Sequence, residues 1–428
     1  MKTLPIQLLK SSIIACAMVF SVNVTAQKDK VALPEPYETK SVKNYSKVLG
    51  WGNNITPVVP PGFTVTEFAT DFQNPRWIYV APNGDVFIAD AGTLRPDKKD
   101  QDKEFKENEK SQNFGSANTI TLFRDADRDG VYESRYTYLT GLNQPFGMAV
   151  LGNYFYVANT DALMRFPYIP SATSITSPGE KIVSLPAGGY NNHWTRNIIT
   201  HPQNNKIYIS VGSASNNAEY GMEEENRRAC ILEVNPDGSG EILYASGLRN
   251  PVGMDWEPVT KTLWTVVNER DELGDNLVPD YATYVQKGGF YGWPYAYFGT
   301  NEDPRLKGER PDLVAKTIIP DIALGSHTAT LGMAFYGARL FPAKYHNGLF
   351  VAQHGSWNRS ELSGYKVMFI PFRNGRPSGP PEDFMTGFIA NAEKSEVYGR
   401  PVCVAVLPDG SMLVSDDAAQ IIWRVSTR

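Results

Sequence analysis

The sequence predicts an all-β protein, a six-bladed β-propeller, on three observations. One hairpin signature recurs six times, the turns inside it are of the strand-reversing kind, and 36 Gly with 30 Pro among 428 residues point to many turns and away from a helical bundle. Each copy opens with a polar or basic residue beside Pro or Gly. It then runs as an alternating apolar strand, turns, and returns as a second apolar strand. The six openings are Asn74-Pro75-Arg76-Trp77, Asn143-Gln144-Pro145-Phe146-Gly147, Asn192-His193-Trp194, Arg249-Asn250-Pro251, His327 to Gly332, and Gly399-Arg400-Pro401. Spacings of roughly 50 to 80 residues leave room for two further strands per copy, as a four-stranded blade requires. A two-sheet sandwich of short strands is the competing architecture, but a sandwich does not repeat one signature six times.

Taken in order, residues 1–26 read as a signal peptide. Lys2 and Lys10 make a positive leader, residues 11–22 are mostly apolar, and Val24-Thr25-Ala26 offers small residues for cleavage. The expected location is therefore periplasmic or secreted; Cys16 leaves open a lipid-anchored version. Residues 27–60, with Pro34, Pro36, Pro57 and Pro60 and no periodicity, read as an N-terminal arm on the surface. Residues 61–428 hold the propeller, and the alternating Phe63-Thr64-Val65-Thr66-Glu67-Phe68 is expected to pair with the last blade and close it. Residues 92–117, rich in charge and amides, read as an inserted solvated loop. No later stretch has the roughly 18 consecutive apolar residues of a membrane span. A net charge of −5 gives no blanket attraction for nucleic acid. Cys230 and Cys403 have strand-like apolar flanks and read as buried free thiols, with a disulfide as the alternative.

The openings of the innermost strands converge on one mouth in a propeller, and here they carry Arg76, Gln144, Asn192, His193, Arg249, Asn250, His327 and Arg400. With Arg196, Arg270 and Arg359 from nearby loops, this ring suits a small ligand bearing several carboxylates or phosphates, which guanidinium forks grip at two points. His193 is the candidate general base, with a merely structural histidine as the alternative; His354 ends an inner hairpin. Two oxygen-rich segments are candidate cation sites. Asp125, Asp127, Asp129 and Glu133 match the first nine positions of a calcium loop, but Tyr136 occupies the twelfth, which excludes a full EF-hand. The second runs from Asn268 through Arg270 and Asp271 to Asn276.

At Gly247-Leu248-Arg249-Asn250-Pro251, Gly288-Gly289-Phe290-Tyr291-Gly292-Trp293-Pro294, His354-Gly355-Ser356-Trp357-Asn358-Arg359 and Gly399-Arg400-Pro401-Val402, the chain resembles the soluble quinoprotein sugar dehydrogenases, most closely their sorbosone dehydrogenase branch. The resemblance implies pyrroloquinoline quinone (PQQ) and Ca2+ at the mouth, with an aldose or sugar aldehyde as substrate and an external electron acceptor. It further implies His193 as general base and Arg249 as the residue polarising a quinone carbonyl. Asn250, Arg359, Arg400 and Gln144 would bind cofactor carboxylates, Arg270 and Asp271 would offer backbone carbonyls to calcium, and His327 and Trp357 would roof the substrate. Asn192 departs from the acidic residue that glucose-oxidising members carry there. That departure, with the aromatics Tyr291, Trp293, Tyr295, Tyr297 and Phe298, keeps a non-catalytic carbohydrate-binding propeller open; a calcium-dependent lactone hydrolase is a third reading.

Overall fold

The computed structural model describes Met1, residues 31–201 and residues 203–427. The predicted leader, Cys16 included, lies outside the described residues apart from Met1. Residues 1–32 form a unit separate from residues 33–428, and every strand among the described residues belongs to the second unit.

The structure is nearly all β. Six large sheets carry it, each antiparallel through four strands taken almost entirely in chain order. Sheet I comprises Pro75–Val80, Val86–Asp90, Thr119–Arg124 and Ser134–Leu139. Sheet II begins at Met148–Leu151, sheet III at Arg196–Thr200, sheet IV at Pro251–Trp256, sheet V at Thr330–Phe335 and sheet VI at Pro401–Val406. A parallel fifth strand, Gly289–Phe290, extends sheet III.

Burial follows strand position. The second strands of sheets I, III, IV, V and VI are buried at every residue, because apolar layers cover both of their faces. Outer strands such as Glu180–Ser184 are mostly exposed and alternate less strictly. Aromatic side chains fill the spaces between sheets: Phe87 lies 4.8 Å from both Tyr138 and Phe155, and each such burial is worth about 1.5–3 kcal/mol.

First strands pack on one another in the sequence II, III, IV, V, VI, I. Sheets I and II meet through the Trp77–Phe146 ring contact at 4.5 Å and the Val150 amide donating to Tyr79 Oη at 2.9 Å. Two glycines set how closely these strands approach. A Cβ at Gly253 would lie 2.7 Å from Leu331 O, and one at Gly332 would lie 2.4 Å from Val402 O, closer than real side chains come. Phe63–Ala69 pairs antiparallel with Ile421–Thr427, Phe63 opposite Thr427, so the early strand completes sheet VI as its alternation predicts.

Two segments depart from their plain sequence reading. Residues 92–117 are more than a solvated loop: Asp102 caps the helix Lys103–Asn108, and Phe105 is buried against Phe114 at 4.8 Å. A single buried aromatic leaves no periodic trace in the sequence. The arm docks on the loops that carry site residues. Lys47–Val48 pairs parallel with Glu396–Val397, the Tyr37 amide donates to Leu273 O, and the Asn44 amide donates to Trp357 O. Among the described residues, no helix is long and apolar enough to cross a membrane.

Candidate active site

In an antiparallel hairpin the start of the first strand and the end of the second lie at the same edge. Gln144, His193, Arg249, Asn250, His327 and Arg400 precede the first strands of their sheets, and Asp271, His354, Trp357 and Arg359 follow second strands. All ten therefore occupy the same end of their hairpins. Gln144 and His327 adopt φ of +47° and +59°, conformations an L-residue holds only where its surroundings enforce them.

His193 is half-buried. Its Nδ1 lies 2.9 Å from Ser213 O and 3.0 Å from Ser213 Oγ. The Ser213 hydroxyl donates to Ser215 O at 2.6 Å, so both oxygens near Nδ1 are acceptors and Nδ1 carries the proton. Nε2 is left with its lone pair and no protein partner among the described residues. Burial first, then the Arg249 guanidinium, holds this imidazole well below its ordinary value, so it is neutral near pH 7. His327 is the opposite case. Its Nδ1 faces Asp271 Oδ1 at 3.0 Å and its Nε2 faces Gly274 O at 2.8 Å, so two acceptors require two N–H groups. Burial opposes the charge, but Asp271 and the Gly274 carbonyl outweigh it and raise the pKa, giving an imidazolium.

Arg249 is 2% exposed and donates to Asn216 O, Asn216 Oδ1, Asn268 O and Glu269 O at 2.8–3.1 Å, with Asp271 Oδ2 at 3.5 Å. Asn216 is the hub: its carbonyl also accepts Trp293 Nε1 at 3.1 Å, and its Oδ1 accepts the Asp271 amide at 2.9 Å. The buried Glu225 carboxylate fixes that loop by accepting from Ala214 N and from Ser215 N and Oγ. Gly212 brings His193 and Asn250 together, since a Cβ there would sit 2.6 Å from His193 Cβ and 2.4 Å from Asn250 Oδ1.

A second cluster adjoins the first. Arg76 pairs with Asp417 and lies over the Trp194 ring, next in sequence to His193. Asp417 also accepts His354 Nε2 at 2.8 Å; burial, with Arg400 beside it, pushes that imidazole down to about 4. Arg400 donates to His354 O, Gly355 O and Ser111 O at 2.9–3.0 Å. Gln144 Nε2 donates to Gly92 O at 3.0 Å. Trp357 stacks on Tyr45 of the arm at 5.6 Å, and Arg359 Nη1 reaches Asp275 O at 3.0 Å. Asn192 is exposed at the rim. Arg270 pairs with Asp303 at 2.5 Å, and the Asp271 carbonyl accepts Arg270 Nε at 2.9 Å.

Arg196 differs from the ring with which the sequence groups it: it is wholly buried and donates to His193 O, Thr195 O, Pro186 O and Asn191 Oδ1, all within its own loop, whereas Arg249 and Arg400 reach oxygens of other loops. Tyr291, Trp293, Tyr297 and Phe298 are likewise buried at 0–6% exposure and offer no face to a sugar. Sequence reasoning missed Gly212, Ser213, Asn216 and Glu225, whose only signal is their place after a second strand.

The family described as TrAA12-like matches residues 57–287 and 311–428. The chain belongs to that family. The TrAA12-like chain is 29% identical over 378 residues to an uncharacterised protein of Borreliella burgdorferi, covering 86% of this chain and 90% of that one. Its fold matches the holo form of the pyranose dehydrogenase PQQ domain from Coprinopsis cinerea with a TM-score of 0.69 at 20% identity, over 89% of this chain and 100% of the other. It also matches the calcium structure of a Trichoderma reesei carbohydrate-active enzyme of family AA12, with a TM-score of 0.67 at 18% identity over 88% and 99%. This TrAA12-like chain thus shares its fold with the pyranose dehydrogenase PQQ domain and the AA12 enzyme.

Proposed function

We propose that the six large sheets are the blades of a closed propeller and that the mouth oxidises an aldose or sugar aldehyde, as a PQQ- and calcium-dependent oxidoreductase. The observation that carries this is geometric: His193, its Nδ1 held by Ser213 and its Nε2 free, and His327, held by Asp271, flank the network of one guanidinium, Arg249.

The donor set fits a cofactor with three carboxylates. Arg76, Arg249, His327, Arg359 and Arg400 outnumber the two carboxylates with which three of them pair, Asp271 and Asp417. Asn250, Arg359 and Arg400 would hold PQQ, with Gln144 behind them; bound PQQ supplies the two-electron acceptor for hydride from the sugar. His193 Nε2 takes the proton of the anomeric hydroxyl, and Arg249 with His327 stabilises negative charge developing nearby. Ser213 fixes the tautomer that makes Nε2 the base. Calcium near the carbonyls of Arg270 and Asp271 would require the Arg270 guanidinium to leave Asp271 O, which it now occupies at 2.9 Å; a second calcium is read at Asp125, Asp127, Asp129 and Glu133, whose ligand atoms lie within 4.8 Å of one another. The sorbosone branch and a periplasmic or secreted location rest on the sequence motifs and the leader at residues 1–26.

The test is dye-coupled oxidation of a sugar panel by protein loaded with PQQ and calcium. His193→Ala is expected to lower kcat by about 10² to 10⁴-fold with PQQ binding retained. No PQQ binding and no dye reduction would end this reading, and activity with calcium alone on a lactone would favour a hydrolase.

A further inference from the structure

We propose that Tyr190 and Tyr220 form an outer sugar subsite at the rim of the mouth, which seats the second ring of an oligosaccharide whose reducing end lies at His193. The inference rests on the sugar-oxidising reading above and deepens it.

The two rings touch at a centroid distance of 4.7 Å, inclined by 53°, and are 46% and 55% exposed, with Met222 beside them in sequence at 45%. Single exposed aromatics are ordinary, but a contacting pair is a patch. Both rings sit on loops that carry site residues. Tyr190 lies in the loop that carries His193, and Tyr220 follows Asn216, the residue that holds Arg249. The Tyr190 phenol is raised first by partial desolvation and then by Tyr220 and Glu219, while Arg249 opposes the shift and Glu104 of the inserted segment adds to it. Tyr190 is tied to the base's loop through its neighbour: Arg196 donates both to Asn191 Oδ1 at 3.0 Å and to His193 O at 2.6 Å.

The rim is also built rather than loose. Asn191, next to Tyr190, accepts from Arg196 at 3.0 Å and Arg228 at 2.7 Å, and donates to Thr160 at 3.0 Å. This gives the buried guanidiniums a role: they fix the loop that presents the tyrosine. On the other side, Glu219 accepts the Asn217 amide at 2.8 Å and the Asn216 amide at 3.3 Å. Gly189, at φ +66°, would place a Cβ 2.7 Å from Glu224 Oε2, so the two loops close on each other there.

A saccharide ring matches this surface. Its C–H face packs on tyrosine faces and its hydroxyls reach polar neighbours, here the exposed Asn192 and Glu219. Two tyrosines and a methionine fall far below the roughly 800 Å² per partner of a stable protein interface.

Binding of maltotriitol and cellotriitol, which have no reducing end to oxidise, is measured by calorimetry on the full chain, with glucitol as the single-unit control. The parent is expected to bind at least one of these reduced trimers more tightly than glucitol. Tyr190→Ala and Tyr220→Ala are each expected to weaken that binding about tenfold, and Tyr190→Phe to preserve it. In the loaded enzyme, the same variants should raise KM for maltotriose or cellotriose with kcat kept, and leave glucose unchanged. Reduced-trimer binding unaffected in Y190A/Y220A, or an equal loss for glucose, overturns the subsite. Dye reduction absent for every sugar, while the tyrosine-dependent binding persists, counts against the oxidoreductase alone.

Discussion

Gly212→Ala tests how tightly the site is packed. The added Cβ would fall 2.4 Å from Asn250 Oδ1 and 2.6 Å from His193 Cβ, where ordinary contact begins near 3.4 Å. Asn250 can swing its amide away, but His193 Cβ is fixed to the backbone, so the imidazole or its strand must retreat by about 0.8 Å to restore contact. Overpacking of this kind costs about 1–3 kcal/mol, and a displacement near 1 Å of a reacting group lowers turnover by about 10²-fold. Urea unfolding and dye-coupled kcat on the loaded variant read the two effects separately. If G212A unfolds at the parent's urea midpoint and turns over within twofold of it, the base is not held by this contact and the reasoning fails.

Three further outcomes are expected. Because His193 is neutral and its pKa lies well below 6.5, kcat/KM should stay level as pH falls from 7.5 through 6.5 and decline only at lower pH, when Nε2 takes a proton; a profile breaking at 6.5 contradicts the assignment. Asp417→Asn should cost about 3–5 kcal/mol in urea unfolding, since it leaves Arg76, at 12% side-chain exposure, without its anionic partner. Cys230 and Cys403 are buried and unpaired, with burial pushing both thiols up to about 12, so a thiol reagent should find neither in native protein and both after denaturation.

The architecture was legible because it is written as repetition. Arg249-Asn250-Pro251 and Gly399-Arg400-Pro401 share a position in their repeats, and a repeat puts equivalent residues at equivalent ends of equivalent hairpins. The closing strand at Phe63 was legible from alternation alone. Direction was not legible. Arg196 sits three residues from His193 and reads as one more cation of the ring, yet its side chain runs back into carbonyls of its own loop. Nothing in the residue type distinguishes an arginine that greets a ligand from one that supports a loop. Asn216 and Glu225 escaped for a related reason, because their importance lies in which backbone groups they meet. The Gly-Trp-Pro stretch was a sound family signal, but its physical work is internal: Trp293 holds Asn216.

The pairing of Phe63–Ala69 with Ile421–Thr427 bears on biosynthesis. A ribosome releases the first of these strands hundreds of residues before the second, so through most of synthesis the early strand waits with an unsatisfied edge. Sheet VI, and with it the circle of packed first strands, comes together only at the end of translation. A stop codon a few positions before Ile421 would therefore leave Phe63–Ala69 without its partner strand, so that a short deletion at one end takes two strands out of the sheet.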